Sequence, residues 1–240
     1  MLLGVLAGYG ISGGRRRRRG SLRLPGPGAG HLAAVGVPSP RPARCETVRV
    51  SQHEHPSAAS GPDVSVRVGW VDDAAAVAAV QVRAWRDEYD GVLPAEVLDG
   101  LDAEQMADAW RASLSRPSDA RNRVLVALER STVRGFAVTW PARDPDVDPL
   151  AVGEVAELTV DPEHRGRGHG SRLVQACADT LRADRFRTAL VWLNATDDVR
   201  RAFLTEAGWA PDGAHRELDL HGDGSVRVKQ VRLHTDLTEG

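Results

Sequence analysis

The spacing of apolar and polar residues predicts a folded segment that begins near residue 63. Val64–Trp70 alternates apolar and polar side chains, as a half-buried strand does. Asp72 or Asp73 can cap the helix that follows, whose Ala74, Val77, Ala78, Val82, Trp85 and Tyr89 recur at helical spacing. Asp102 is a second cap, ahead of Met106, Trp110 and Leu114. Two strands, 123–129 and 133–140, flank the short Arg130-Ser-Thr turn. A strand at 153–160, a helix at 171–183 and a strand at 188–194 come next, with Leu173, Val174, Cys177 and Leu181 on one helix face. Asp197 or Asp198 caps a last helix that Gly208 ends, and strands near 217–220 and 226–233 close the chain. Strand–helix–strand at 153–194 implies a parallel pair, and the flanking hairpins imply antiparallel ones. The predicted class is α/β, a central mixed sheet of about seven strands flanked by four helices.

Composition divides the 240 residues unevenly. Residues 1–62 hold 11 of the 24 Gly and 7 of the 14 Pro, with nine Arg, two Glu and no Trp. Such a segment buries too little surface to offset its chain entropy, so it reads as a disordered tail. Its Arg15–Arg19 run suits nucleic acid or anionic lipid, but a solvated charge run, or a stretch upstream of a mis-chosen start, is the preferred reading. The folded part is taken as 63–236, with 237–240 a short tail. Residues 63–240 carry 22 basic against 31 acidic groups, which disfavours nucleic acid as a partner. Cys45 and Cys177 are too few for a disulfide framework or a four-thiolate zinc site, and the eight His lack metal-binding spacing. No apolar run approaches the roughly 18 residues of a spanning helix. The cytoplasm, without a membrane partner or a metal, is the expected setting.

The chemistry concentrates in Leu158-Thr-Val-Asp-Pro-Glu-His-Arg-Gly-Arg-Gly-His-Gly-Ser171. Gly166, Gly168 and Gly170 leave backbone N–H groups unobstructed where a strand turns into a helix, and Arg165 and Arg167 add charge. His169, between two glycines, is expected to face solvent or phosphate. No Lys follows as in a phosphate-binding Walker loop, and the G-x-G-x-G spacing is not the dinucleotide fingerprint. A flexible turn without a ligand is the bland alternative. Cys177 reads as a core residue.

Arg165-x-x-Gly168-x-Gly170 after Val-Asp-Pro resembles the acyl-CoA signature of the GNAT N-acetyltransferase superfamily. Leu190–Leu193 and Arg201–Trp209 are similar to a later strand and helix of that family, and the likeness spans residues 64–234. The resemblance implies acetyl-CoA as acyl donor and direct attack by an amine. The backbone of Leu158, Thr159 and Val160 would pair with the pantetheine arm, and Val160 N–H would polarise the thioester carbonyl. The amides of Arg165, Gly166, Arg167, Gly168, His169, Gly170 and Ser171 would hold the pyrophosphate. Asp197 aligns with the family's pantetheine-contacting Asn, and Asn194 is close by. The Ala84–Tyr89 stretch is similar to the family's acceptor-side helices, which implies that Trp85 and Tyr89 would meet substrate.

Glu154 and Glu157 are the candidates for the base that takes the amine's proton. Strand alternation puts them on opposite faces, so only one lines the cleft, and Glu154 is preferred. A carboxylate paired with an Arg is the plain alternative for either. Where the family has an acidic Tyr, this chain has Leu204. Asp87, Glu88 and Asp90, with Asp144, Asp146 and Asp148, either attract a cationic amine or form an acidic surface. The expected function is N-acetyl transfer to a primary amine of a small molecule or protein. A non-catalytic acyl-CoA-binding module is the rival, and a homodimer is one of the assemblies left open.

Overall fold

The computed structural model describes residues 64–219 and 227–238, so the expected tail at 1–62 lies outside the described residues. Seven strands form one sheet in the order β1-β2-β3-β4-β5-β7-β6. They are β1 (Val64–Val68), β2 (Arg123–Glu129), β3 (Thr132–Pro141), β4 (Val152–Val160), β5 (Thr188–Asn194), β6 (Ala210–Asp219) and β7 (Arg227–Asp236). The helices are α1 (Ala74–Glu88), α2 (Ala95–Asp99), α3 (Ala103–Ser115), α4 (His169–Ala183) and α5 (Asp198–Glu206). Among the described residues only β4 and β5 pair in parallel, across the crossover through α4.

Local chemistry accounts for most boundaries. The Asp102 carboxylate accepts the Glu104 and Gln105 N–H groups and starts α3. Asp197 caps α5 by accepting Arg200 N–H. Asp73 precedes α1 but makes no cap bond to it. Its carboxylate instead takes the Trp70 N–H at 2.7 Å and Arg67 at 2.6 and 2.9 Å, tying β1 to a turn of 3₁₀ helix. The five-residue α2 has too short a pattern to be seen as a helix in sequence. Edge strand β6 begins at Ala210, earlier than its Pro211 and Gly213 suggest, with a register shift between Pro211 and His215. An edge strand tolerates Pro because one side of its backbone has no ladder.

Each face of the sheet carries its own core. On one, α1 and α3 bury Val77, Trp85, Met106, Trp110, Phe136 and Val138. On the other, α4 and α5 bury Leu173, Cys177, Leu181, Leu193, Leu204 and Leu233. Leu237, placed in the tail by the sequence pattern, is buried in this second core. Burial pushes the Cys177 thiol up to about 12, so it is an inert core group.

Two irregularities in β4 prepare the site. The β4–β5 ladder has only four register pairs, from Val152–Thr188 to Val155–Val191, after which the strands separate. On its other flank β4 stays paired with β3, but Glu157 lies opposite Val138 and Val155 opposite Thr139, so Ala156 is an extra residue.

Leu181 is fully buried on α4, and Leu181→Ala should destabilise the protein by about 2–5 kcal/mol in urea unfolding. A loss below about 1 kcal/mol would contradict the packing described.

Candidate active site

The separation of β4 from β5 leaves Ala156–Val160 on one side and Trp192–Asn194 on the other without a shared ladder. Backbone N–H and C=O groups on such flanks need partners, and a linear ligand can supply them. At the end of this gap the chain passes through Asp161 into the glycine loop and α4. Burial works to raise the Asp161 carboxyl, but Arg83 at 2.6 Å holds it below the usual carboxylate range. That bond fixes the start of the loop to α1.

Gly166 and Gly168 adopt φ of +73° and +83°, the left-handed region open to glycine. Gly168 is the N-cap of α4 and provides no side chain to its first turn. The amides of His169, Gly170 and Ser171 therefore open α4 without a capping side chain, beside the positive end of the helix dipole. Arg165 pairs with Asp87 at 2.6 Å, and Arg167 lies 3.9 Å from Glu129, both at the surface. This arrangement fits an anionic group such as a pyrophosphate.

His169 corrects the expectation of a solvent-facing residue. It is 1% exposed beneath the loop, burial lowers its pKa, and neither ring nitrogen has a partner among the described residues. Its position in the first turn of an amphipathic helix, four residues before Leu173, is the signal that marks it as inward-facing.

The bulge corrects the two carboxylates. Glu154 lies opposite Trp140 and Glu157 opposite Val138, and Trp140 and Val138 share the α1-side face of β3. Two β4 residues, Val155 and Ala156, stand against the single Thr139, so Glu154 and Glu157 point the same way. Glu154 is 8% exposed and accepts the Trp140 indole N–H at 2.6 Å. Burial raises its pKa, and the indole bond opposes the rise. Glu157 accepts the Thr159 hydroxyl at 2.5 Å, and burial raises its pKa too. Neither carboxylate has an Arg in salt-bridge contact among the described residues.

Around Glu157, a polar cluster joins α1, β5 and α5. Arg200 binds Glu88 at 3.1 Å and Asp197 at 3.3 Å. Asn194 donates to Glu88 at 3.3 Å and accepts from Gln230 at 3.3 Å. The Asp197 carboxylate is committed to its cap and to Arg200. Tyr89 is buried against Asn194, and burial raises its pKa. Trp85, expected to meet substrate, is instead 4% exposed in the core under α1.

Beyond Glu154 the same face continues across β5, β7 and β6. Arg216 stacks on Trp192 at 4.2 Å and donates to Gln230 at 2.8 Å. Asp144 accepts the Trp192 indole N–H at 3.0 Å, and Arg232 binds Asp146 and Asp212 at 2.6 Å each. Asp144 and Asp146 are thus held in ion pairs and do not form the free acidic surface that their sequence cluster suggested. Trp140, Arg200 and Arg216 carry no motif; only tertiary pairing identifies them.

A sequence profile described as the acetyltransferase (GNAT) family matches residues 80–209. The chain is 28% identical over 172 residues to "Uncharacterized N-acetyltransferase YuaI" of Bacillus subtilis, covering 71% of this chain and 91% of that protein. It is 33% identical over 139 residues to a mycothiol acetyltransferase of Rhodococcus erythropolis, covering 57% of this chain and 39% of that one. Among solved structures, the PaiA N-acetyltransferase of Thermoplasma acidophilum in complex with coenzyme A superposes with a TM-score of 0.54 at 16% identity, covering 72% of this chain and 99% of that one. The ribosomal-protein-alanine N-acetyltransferase of Brucella melitensis gives 0.53 at 17% identity, covering 72% and 99%. At these identities the two structures show the common fold. No helix among the described residues is long and apolar enough to cross a membrane.

Gly168→Ala forces a β-carbon into the left-handed region at a cost of about 1–2 kcal/mol. Urea unfolding should register that loss, and an unchanged midpoint would mean that the turn relaxes freely.

Proposed function

Because the chain belongs to the GNAT acetyltransferase family, matching its profile over residues 80–209, we propose that it works in the cytoplasm, transferring the acetyl group of acetyl-CoA to a primary amine of a small molecule or protein. The observation that carries this reading is the juxtaposition of a buried carboxylate, Glu154, and a partly buried one, Glu157, with a gap between two strands and an uncapped helix end. A module that only binds acyl-CoA has no use for two carboxylates of raised proton affinity on one face of β4.

When bound, acetyl-CoA supplies an activated acetyl group as a thioester. The loop amides from Arg165 to Ser171 hold its pyrophosphate, and Leu158 and Val160 offer backbone hydrogen bonds to its arm, whereas the Thr159 backbone is turned to Phe136 of β3 and is not available for it. Val160 N–H donates to the thioester carbonyl oxygen, where charge develops. The neutral amine attacks the carbonyl carbon, forming the C–N bond as the C–S bond breaks. Glu154 takes the amine's proton, through a water where direct reach is lacking. CoA leaves as a thiolate, a tolerable leaving group since a thiol of this kind has a pKa of about 8.5. Leu204, buried at 1% exposure in the α4–α5 core, supplies no proton to it.

Glu154 works as a base only when ionised, so activity should rise with pH through a limb above the ordinary carboxylate range. Glu154→Gln should lower kcat by about 10²–10⁴-fold and abolish that limb. Unchanged thiol release from acetyl-CoA in this variant would dismiss Glu154. Trp140→Phe removes the N–H that favours the ionised form, so the limb should move to higher pH. A limb that stays in place in W140F would separate the indole from the titrating group.

A further inference from the structure

A cavity of about 590 Å³ lies between the C-terminal end of α3 and the β2–β3 part of the sheet. One wall is apolar, with Trp110, Leu114, Val124, Val138 and Trp140, while Ser113, Ser118 and Asn122 add polar groups to the rim. Its charged members are Arg116, Arg123 and Arg143, and no Asp or Glu lines it. That is unusual in a segment carrying 22 basic against 31 acidic residues. Arg123 is neutralised by Asp184 at 3.0 Å. Asp119, the nearest acid in sequence, is taken up by Arg121 at 3.0 Å. Arg143 stacks over the Trp140 ring at 4.8 Å, and neither it nor Arg116 forms an ion pair among the described residues. The cavity therefore joins an apolar wall to two uncompensated guanidinium groups.

Its position links it to the chemistry. Trp140 is at once a wall of the cavity and the donor to Glu154, at 2.6 Å. Val138, also in the wall, lies opposite Glu157 in the ladder.

We propose that this cavity holds the body of the acceptor, a small amine whose apolar spacer ends in a carboxylate or similar anion, with Arg116 and Arg143 binding the anion and the amine turned past Trp140 towards Glu154. The proposal rests on the acetyltransferase reading and names its substrate class. The apolar wall favours the spacer, and the planar guanidinium groups match a carboxylate. Residues 1–62 of the same chain, with nine Arg, two Glu and no Trp, are a poor complement to this lining.

The test uses the full chain and three readouts. In calorimetric titration, 3-phenylpropionate should bind at least tenfold more tightly than its neutral carboxamide, and added salt should weaken it. The preference should vanish in the Arg116→Gln, Arg143→Gln double variant, while the thermal stabilisation by acetyl-CoA stays at the wild-type value and reports an intact fold. In turnover, 6-aminohexanoate should be acetylated at least tenfold more efficiently than hexylamine, with that advantage lost in the double variant. Equal binding of acid and amide, a preference that survives in the variant, or turnover favouring hexylamine overturns the proposal. Loss of the acetyl-CoA effect in the wild type, with 3-phenylpropionate still bound, would instead sink the acetyltransferase reading and leave only an anion cavity.

Discussion

The structure depends on the place where β4 and β5 stop pairing. A parallel ladder normally runs the length of its strands, since each unpaired backbone group buried without a partner costs free energy. Here it ends at Val155–Val191, while β3 continues to hold β4 and β7 continues to hold β5 out to Asn194. The outer ladders and the two cores keep the sheet intact, so the gap is a fixed slot. The crossover from β4 passes through the glycine loop, which sets the uncapped amides of α4 at the same end. Backbone partners for an extended arm and an anion site at its end thus come from one topological feature.

The bulge at Ala156 supplies the second requirement. Regular alternation would have turned one of Glu154 and Glu157 into the α4 core, where a charge could not be accommodated. The extra residue puts both on the α1-side face, in different company. Glu154 leans on an indole N–H, and Glu157 on a hydroxyl beside the Glu88–Arg200 pair. Burial raises the proton affinity of each, and these partners moderate it. A carboxylate so placed holds a proton more readily than an exposed one, as a group that takes a proton from an amine must.

Much of this was legible in the chain. Helical periodicity located α1, α3 and α4, Asp102 marked the start of α3, Asp197 or Asp198 with Gly208 bounded α5, and the three loop glycines marked the strand–helix turn. What escaped was set by partners distant in sequence. The bulge arises from register against Thr139, and nothing in Glu154-Val-Ala-Glu157 announces it. The ion pairs that neutralise Asp144 and Asp146 come from Arg232, 86 residues from Asp146. His169 was misread because its neighbouring glycines outweighed its place on the apolar face of α4. Trp85 was expected at the cleft because its stretch is similar to the family's acceptor-side helices, but its side chain turns into the core under α1.

Under the proposed function, the gap and the α4 amides together form one binding site for acetyl-CoA. Thermal unfolding of the full chain with acetyl-CoA, and with ATP and NAD as controls, tests it most directly. At about 100-fold excess over Kd the ligand should add roughly 2.7 kcal/mol. That corresponds to a rise in Tm of about 5–10 °C for a domain of this size. A rise specific to acetyl-CoA is the predicted result. No rise at millimolar acetyl-CoA, or an equal rise with ATP, would contradict the claim.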